Sequence, residues 1–567
     1  MPRLSRDQHV LFLTITLILI FIFHLSYLNN GFTWLDHGDI ERGRALLSLS
    51  SLPTAFTTHF AQTGFYRPLV TILNSLDYSL YKFWAPGYHL TNLLLHLGVS
   101  LLAARFISLF FSINHLEKLL IILLVGLHPI GWLPVGAISY RQELLLSFFT
   151  LTGIYYHVKA RTSGKTKYIL LTFISFLAAL FSKETALFLL PAIILFWELT
   201  NVILNEVPYS GTKSKDLSRM RDSSSDKLRD SSTPIKSGVG TTITKFTLRL
   251  LFAEFSVILI YLLLRLHAVP ELWRTSSLSL PFPQALATRF TAAGRLLFQL
   301  FSPFRPGLSD AVKVSSFNNF GPILLTAAFI FSDSILARRR LRSNWSIALT
   351  LLLITLFPAL NIIPLPRFYS PHYGYIMLPA AASLAVLFLR IFSKKNIFGK
   401  ISSLGIALWL LVAAVSTFQA GFQFKNDFTL FAPEVSRDDR FAEGHQYLGD
   451  YHFRLQNYQL AATHYQSALR ENLSVIAFVD RASVMNNLAG VYLALKKLDE
   501  ADRLLLELSY KPGWSDNQTL LYNRALIATE KEDWQKVIAL LRRPDISWTR
   551  PEPLLLLEKA LQMPLSD

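Results

Sequence analysis

Long apolar runs are the feature that most constrains what this chain can fold into. A helix that crosses a bilayer needs about 20 predominantly apolar residues, and such runs recur through the first three quarters of the sequence. We expect spans near residues 10–28, 88–111, 117–134, 142–158, 167–182, 185–200, 246–266, 321–337, 344–363, 373–391 and 400–420. The sequence therefore predicts an all-α fold, a polytopic membrane helix bundle of about 11 spans.

The positive charge of the chain supports this topology. Only 16% of the 567 residues are charged, yet the net charge is +17. Cytoplasmic loops of membrane proteins carry excess Lys and Arg. With the N-terminus inside, the basic clusters at 159–167, 201–245, 338–342 and 394–400 all become cytoplasmic. The charge thus orients the spans and does not indicate nucleic acid, and the C-terminus is predicted to lie outside.

Two segments of the predicted membrane domain, residues 1–420, are not spans. Residues 201–245 are rich in Ser, Lys, Arg and Asp, and such a segment cannot bury enough apolar surface to order itself. We expect a disordered cytoplasmic linker there. The run 68–84 carries Asn74, Asp77 and Lys82 and is predicted to be an interfacial helix.

Residues 421–567 are predicted to form a separate extracytoplasmic domain of helical repeats. They follow the tetratricopeptide pattern, which places small and aromatic residues at fixed positions of a helix pair. The matching residues are Leu448, Gly449, Tyr458, Ala461, Tyr465 and Ala468, then Leu488, Ala489, Tyr492, Ala501, Leu505, Leu508 and Pro512, then Ala525, Ala528, Trp534, Val537, Leu541 and Pro544. This α-solenoid either binds a partner on its concave face or caps the membrane domain. It has 17 Lys and Arg against 20 Asp and Glu, a net charge of −3, which leaves +20 on residues 1–420.

Five polar segments fall outside in this topology and supply the candidate site. The candidate catalytic acids are Asp36, Asp39 and Glu41, and the candidate substrate-binding residues are Arg67, His89, Arg141, Lys183, Glu184, Arg367 and His372. His89 shares a helix face with Asn92 and His96, a pattern that favours interior packing over a metal site because no acid completes it. No metal ligand is assigned, and with no Cys the chain has neither disulfides, thiolate metal sites nor a cysteine nucleophile.

Carboxylates beside several cations suit one kind of chemistry. A carboxylate can take the proton of an attacking hydroxyl, and Arg, Lys and His can stabilise a phosphate as it leaves. Transfer of a sugar from a polyprenyl-phosphate carrier requires both. The sequence has no Gly-rich phosphate loop, so a soluble nucleotide donor is the less natural choice.

The order of these motifs resembles the GT-C membrane glycosyltransferases. The acidic loop is followed by Tyr66-Arg67-Pro68-Leu69, by Gly87 to His96, by Lys183-Glu184 and by Arg367-Phe368-Tyr369. With the repeats, the chain is similar over most of its length to the transmembrane and tetratricopeptide-repeat O-mannosyltransferases and their bacterial relatives. The resemblance implies a protein or cell-envelope acceptor and a polyprenyl-phosphate sugar donor, and no nucleic-acid partner.

The resemblance also implies roles for individual residues. Asp36 matches the second member of the family's usual Asp-Asp pair, and Leu35 stands in place of the first, so Asp36 is the first choice of catalytic base with Asp39 and Glu41 as substitutes. Arg367 matches a basic residue that contacts the donor phosphate. Lys183 and Glu184 match a pair expected to orient groups or bind phosphate. The resemblance to the protein mannosyltransferase branch implies catalysis without a metal ion. Other GT-C enzymes use a divalent metal ion, so the resemblance leaves a divalent cation possible as a cofactor.

Two other functions stay open on the sequence. One is a transferase that modifies lipid A or a surface polysaccharide. The other is a non-enzymatic scaffold in which the repeats are anchored to the membrane and bind a protein partner. The absence of Cys and of eukaryotic targeting signals fits a bacterial inner membrane, with the repeats in the periplasm.

Overall fold

The computed structural model of the chain describes residues 5–61, 64–206, 245–269, 280–316, 343–362, 367–392, 396–472, 474–548 and 551–563, together with residues 326 and 365. The regular secondary structure of these residues is almost entirely helical, which confirms the predicted all-α class. The helices up to residue 421 are α1 (Arg6–Phe23), α2 (Leu25–Leu28), α3 (Pro68–Tyr81), α4 (Ala85–Ile107), α5 (His115–Gly126), α6 (Trp132–Gly136), α7 (Arg141–Ser163), α8 (Thr166–Ser182), α9 (Ala186–Glu206), α10 (Lys245–Ala268), α11 (Phe282–Phe301), α12 (Asn344–Leu356), α13 (Leu378–Phe392) and α14 (Asn396–Gly421).

Several of these helices can cross a membrane. Five segments of the described chain are long and apolar enough: Arg6–Phe23, Ala85–Ile107, Phe246–Ala268, Pro371–Ile391 and Gly399–Lys425. The pair His115–Gly126 and Pro129–Gly136, bent by 43°, qualifies as a sixth when taken together. Shorter apolar helices lie at Thr166–Ser182, Ala186–Thr200 and Asn344–Leu360. Each of these segments falls at a predicted span.

The remaining predicted spans and the linker have different outcomes. Helix α7 covers the span expected at 142–158, but it contains Arg141, Glu143 and His157 and is too polar to count by composition. Those three side chains are buried, and the span expected there stays a prediction. The span expected at 321–337 lies outside the described residues apart from Thr326. Helix α9 continues to Glu206, six residues into the linker expected at 201–245, and residues 207–244 are not described.

The helices after residue 421 form successive hairpins. They are α15 (Asp427–Arg437), α16 (Ala442–Arg454), α17 (Tyr458–Leu469), α18 (Arg481–Ala494), α19 (Leu498–Ser509), α20 (Gln518–Glu530), α21 (Trp534–Leu541) and α22 (Glu552–Leu561). The small and large residues of the predicted repeats pack inside them: Ala461, Tyr465, Ala501, Leu505, Ala525 and Val537 are all buried.

The turn inside each hairpin repeats the same backbone geometry. Gln456, Lys496 and Glu532, which are 40 and 36 residues apart, all have a φ near +60°. Each donates its N–H to the carbonyl three residues earlier, and the next residue donates to the carbonyl five residues earlier, as in a Schellman cap. Three turns with the same φ and the same two hydrogen bonds indicate a repeating helical-hairpin unit. Its assignment to the tetratricopeptide type and the domain boundary at 420 stay predictions.

The hairpins are not a detached unit. One cluster of buried apolar residues continues from the membrane helices to Phe424, Phe431 and Leu448. A two-residue strand after α11, β1 (Val312–Lys313), pairs antiparallel with β2 (Val475–Ile476), which lies between the first two hairpins. The repeat region is therefore held against one end of the helix bundle.

Candidate functional site

The five polar segments meet at one end of the bundle. In chain order, the segments lie after α1, before α3, before α7, after α8 and before α13. An up-and-down course brings these ends together, and hydrogen bonds or ion pairs join the segments directly. The candidate residues Asp36, Asp39, Arg67, Lys183, Glu184, Arg367 and His372 lie in this polar assembly.

Asp36 is fully buried and anchors the first loop. Its carboxylate accepts hydrogen bonds from the Ser139 backbone N–H at 2.8 Å and from the Ser139 hydroxyl at 2.7 Å. The backbone N–H groups of Thr33 and Ile138 donate to its other oxygen at 3.4 Å. Burial raises the pKa of Asp36 even though these donors act to lower it. With both oxygens engaged, Asp36 joins the first loop to the segment before α7.

Asp39 lies in a single π-helical turn, His37–Glu41, three residues after Asp36. Burial raises the pKa of Asp39 to about 6, and the neighbouring charge of Asp36 acts in the same direction. A hydrogen bond from Ser139 and the charges of Arg44 and Arg67 act to lower it. Asp39 is thus a buried carboxylate on which two arginines act electrostatically, with a pKa close to the working range of a general base.

Glu41 is turned away from this group. Its side chain is 44% exposed and lies 2.5 Å from His37 Nδ1, while His37 Nε2 lies 3.0 Å from Asp427 Oδ2. Burial acts to lower the pKa of His37, but its contacts with the two acids raise it to about 9. His37 is therefore a protonated link between the first loop and α15.

Lys183, Glu143 and His372 form a buried triad. Lys183 Nζ forms an ion pair with Glu143 Oε1, and His372 Nε2 lies 3.5 Å from the same oxygen. The Ser370 hydroxyl contacts His372 Nδ1 at 2.5 Å. The triad joins α7, the end of α8 and the turn before α13. Glu143 was not among the predicted site residues, although it lies in the predicted segment at the start of α7.

Arg67 and Glu184 form a second pair, which joins the start of α3 to the turn between α8 and α9. Arg67 Nη2 lies 3.2 Å from Glu184 Oε2, and the Tyr66 backbone N–H donates to Glu184 Oε1 at 3.0 Å. The guanidinium stands 4.1 Å above the ring of Phe65. Glu184 therefore orients Arg67.

Two predicted residues have partners inside the bundle instead. Arg141 is fully buried, and its Nη1 lies 2.8 Å from Asp77 Oδ2. The two atoms form an ion pair, but their geometry does not meet the angle criteria of a hydrogen bond. His89 Nε2 lies 3.3 Å from the Gly31 carbonyl oxygen. Its face partners Asn92 and His96 are fully buried too, which agrees with interior packing.

Arg367 binds a carboxylate from the repeat region. Its Nη2 forms an ion pair with Glu443 Oε1 near the start of α16, and the Trp34 indole N–H donates to the same oxygen at 3.0 Å. The rings of Trp34 and Phe478 lie 5.1 and 4.7 Å from the guanidinium. Sequence reasoning missed Glu443, since a single acid in a helical repeat has no motif that distinguishes it.

Three cationic side chains of the polar assembly act on the same histidine. Arg67, Lys183 and Arg367 all act electrostatically on His372. Such a group of donors suits an anion with several oxygens, such as a phosphate. Among the described residues, no three His, Asp or Glu side chains come together as a metal site. The described residues thus offer no ready ligand set for the divalent metal ion that the resemblance leaves open.

Comparison with known proteins agrees with the resemblance seen in the motifs. No protein-family model matches the chain. The chain is 29% identical over 200 residues to the protein O-mannosyl-transferase F38B6.6 of Caenorhabditis elegans, a match that covers 33% of this chain and 28% of the relative. It is 28% identical over 139 residues to the human protein O-mannosyl-transferase TMTC3, covering 23% of this chain and 15% of the relative.

These matches span less than a third of the relatives' own lengths. Within that extent, and together with the apolar helices and the grouped polar segments, the chain resembles the protein O-mannosyl-transferases among the GT-C membrane glycosyltransferases.

Proposed function

We propose that this protein is an inverting membrane glycosyltransferase that moves a sugar from a polyprenyl-phosphate donor to a hydroxyl group of a protein acceptor on the extracytoplasmic side. The observation that carries the proposal is the contact of both Lys183 and His372 with Glu143 in one polar assembly. Arg67 and Arg367 also act electrostatically on His372, and Arg67 acts on Asp39. The matched relatives are named protein O-mannosyl-transferases, which favours a protein acceptor and a mannose donor.

The reaction needs a base and an anion site, and the residues divide between these tasks. The acceptor hydroxyl oxygen attacks the anomeric carbon of the sugar, and its proton passes to the Asp39 carboxylate. The bond between that carbon and the phosphate oxygen breaks, and the electron pair stays on the phosphate. Arg67, Lys183 and Arg367 stabilise that charge, because fixed cations in a site shielded from water act strongly on developing charge.

Asp39 is a better base than Asp36 in this arrangement. Asp36 receives four hydrogen bonds, and a carboxylate so engaged would have to lose some of them to accept a proton. Asp39 has fewer partners and a pKa raised to about 6. We assign proton transfer to Asp39 and the positioning of the loop to Asp36.

A groove between membrane helices suits the lipid part of the donor. It has a volume of about 620 Å³, lies between α5, α11, α12, α13 and α14, and is lined almost entirely by apolar side chains. Its lining includes Leu378, the first residue of α13, directly after the turn that carries His372. A polyprenyl chain in the groove would lead its phosphate towards the cation group.

The repeat region is then placed to hold the acceptor, since α16 contacts the same group through Glu443. The integral membrane setting, with the repeats in the periplasm of a bacterial inner membrane, belongs to this proposal. It rests on the helices that can span a bilayer and on the side assigned to the basic loops.

The test compares two acids of the first loop, Asp39 and Glu41. Purified wild-type protein in nanodiscs receives polyprenyl-phosphate mannose and a Ser/Thr-rich peptide, and mass spectrometry measures glycosylated peptide. We expect Asp39→Asn to lower the rate by about 10²–10⁴-fold, the usual contribution of a general base. Glu41→Gln is the matched control and should keep the wild-type rate, because Glu41 is exposed.

In cells that lack the native copy, the same variants separate the alternatives. Loss of protein-linked hexose in Asp39→Asn supports the proposal. Loss of sugars from lipid A or a surface polysaccharide, with protein glycans intact, would assign a different acceptor. Unchanged glycans of every class, at normal expression of Asp39→Asn and Arg367→Gln, would leave only the scaffold function.

A further inference from the structure

The ion pair between Arg367 and Glu443 has a consequence for donor binding, given the proposed function. Arg367 is the cation expected to contact the donor phosphate, and in this structure its guanidinium is bound to a carboxylate. Only 12% of the Arg367 side chain is exposed, and 3% of that of Glu443. A phosphate cannot contact the side of the Arg367 guanidinium that Glu443 occupies while that carboxylate remains in place.

Only one of the two carboxylate oxygens of Glu443 accepts hydrogen bonds in the described part of the chain. Its Oε1 receives both Arg367 and the Trp34 indole, whereas its Oε2 is buried without a hydrogen-bond partner among the described residues. Nearby, Asp310 accepts the Phe478 N–H at 2.9 Å through Oδ2, and its Oδ1 is likewise buried without a partner in the described part of the chain. A buried acceptor with no donor is unfavourable.

The local charge is also unbalanced. Glu443 and Asp310 both act electrostatically on Arg367, and burial together with the charge of Glu443 raises the pKa of Asp310. The repulsion between the two acids offsets part of the attraction between Glu443 and Arg367. The other ion pairs at this junction are more complete: Glu434 accepts Arg305 Nη2 at 2.7 Å on one oxygen and the Leu308 N–H at 2.6 Å on the other.

We propose that Glu443 occupies, in the donor-free protein, the place on Arg367 that the donor phosphate takes. Phosphate and the carboxylate of the repeat region compete for one guanidinium. Carboxylate and phosphate oxygens accept from the same face of an Arg side chain, so either can fill this place. Because Glu443 belongs to the first repeat hairpin, donor binding changes how that hairpin contacts the membrane part, and so it links the donor site to the region proposed to hold the acceptor.

The test measures binding of C55 polyprenyl monophosphate to the full chain in nanodiscs by microscale thermophoresis. Glu443→Gln removes the competing charge and keeps the shape of the side chain, so we expect binding at least fivefold tighter than wild type. Arg367→Gln should weaken binding at least tenfold, and Arg367→Gln with Glu443→Gln should bind like Arg367→Gln alone. Glu434→Gln is the matched control: it also removes a buried acid from the junction and should leave affinity unchanged.

The outcomes distinguish this inference from the proposed function. Weakened binding in Arg367→Gln, with Glu443→Gln folded and equal to or weaker than wild type, would overturn the competition and leave the phosphate site standing. Equal tightening in Glu434→Gln would show a loosened junction and would also overturn it. If Arg367→Gln bound the lipid phosphate as tightly as wild type, both the phosphate contact and the competition would be refuted. Should Glu443→Gln not fold, Glu443→Asp retracts the carboxylate by one methylene and should tighten binding to a smaller extent.

Discussion

Replacement of Asp39 by Asn is expected to stabilise the protein while it slows glycosyl transfer. Asp39 is only 9% exposed, and burial raises its pKa from 3.8 to about 6. The folded state thus binds the proton more tightly than the unfolded state, so stability falls as the pH rises from about 4 to about 6. A shift of roughly 2 units corresponds to a cost of about 3 kcal/mol at pH 7.

Asn cannot ionise and does not bear this cost. Thermal unfolding in detergent should therefore show Asp39→Asn more stable than wild type by up to about 3 kcal/mol at pH 7, and by less than about 1 kcal/mol at pH 4. Glu41→Gln, an exposed neighbour, should show no such pH-dependent gain. An Asp39→Asn protein that is no more stable at pH 7 than at pH 4, relative to wild type, would refute the burial argument.

The same carboxylate predicts a pH dependence of the wild-type rate. Asp39 must be ionised to accept a proton, so the rate of transfer should fall about tenfold for each unit below pH 6. The charge of Arg44 lowers the pKa of Asp39. Arg44→Gln should therefore move this acidic limb to higher pH, and a limb that does not move would argue against Asp39 as the titrating group.

Two further predictions concern stability and are measured by thermal unfolding. Lys183→Met leaves Glu143 buried without its cation and should cost about 3–5 kcal/mol, whereas adding Glu143→Leu should recover most of the loss. A double variant no more stable than Lys183→Met would contradict this. Gly449→Ala would place a methyl group 2.6 Å from the ring of Tyr465 and should destabilise by about 1–3 kcal/mol. Gly490→Ala faces open space in the next hairpin and should stabilise by about 0.5–1 kcal/mol, so equal effects of the two would refute the packing argument.

Patterns within single segments were predicted well from the sequence. The apolar runs correspond to helices because a backbone in lipid must satisfy its own hydrogen bonds. The small and aromatic residues of the repeats are buried where the pattern places them, for example Ala461 and Tyr465. Helix α7 departs from the apolar pattern because Arg141 and Glu143 find partners inside the protein, which no local window can show.

The contacts of the candidate site residues could not be predicted from the sequence. Arg67, Lys183 and Arg367 each form an ion pair with a carboxylate. Their carboxylate partners Glu184, Glu143 and Glu443 are 117, 40 and 76 residues away along the chain. Such pairings depend on which helix ends adjoin each other, and a single sequence does not contain that information.

The sequence by itself determined the helical class, the apolar segments, the repeating hairpins and the group of polar loops, because each follows from local composition and period. Only the tertiary structure decided that both carboxylate oxygens of Asp36 accept hydrogen bonds, while Asp39 is a buried carboxylate with a raised pKa. It also decided that Glu443 of the repeat region is bound to Arg367. The physical reason is that burial and long-range partners set the free energy of a charged group, and both arise only when distant segments pack together.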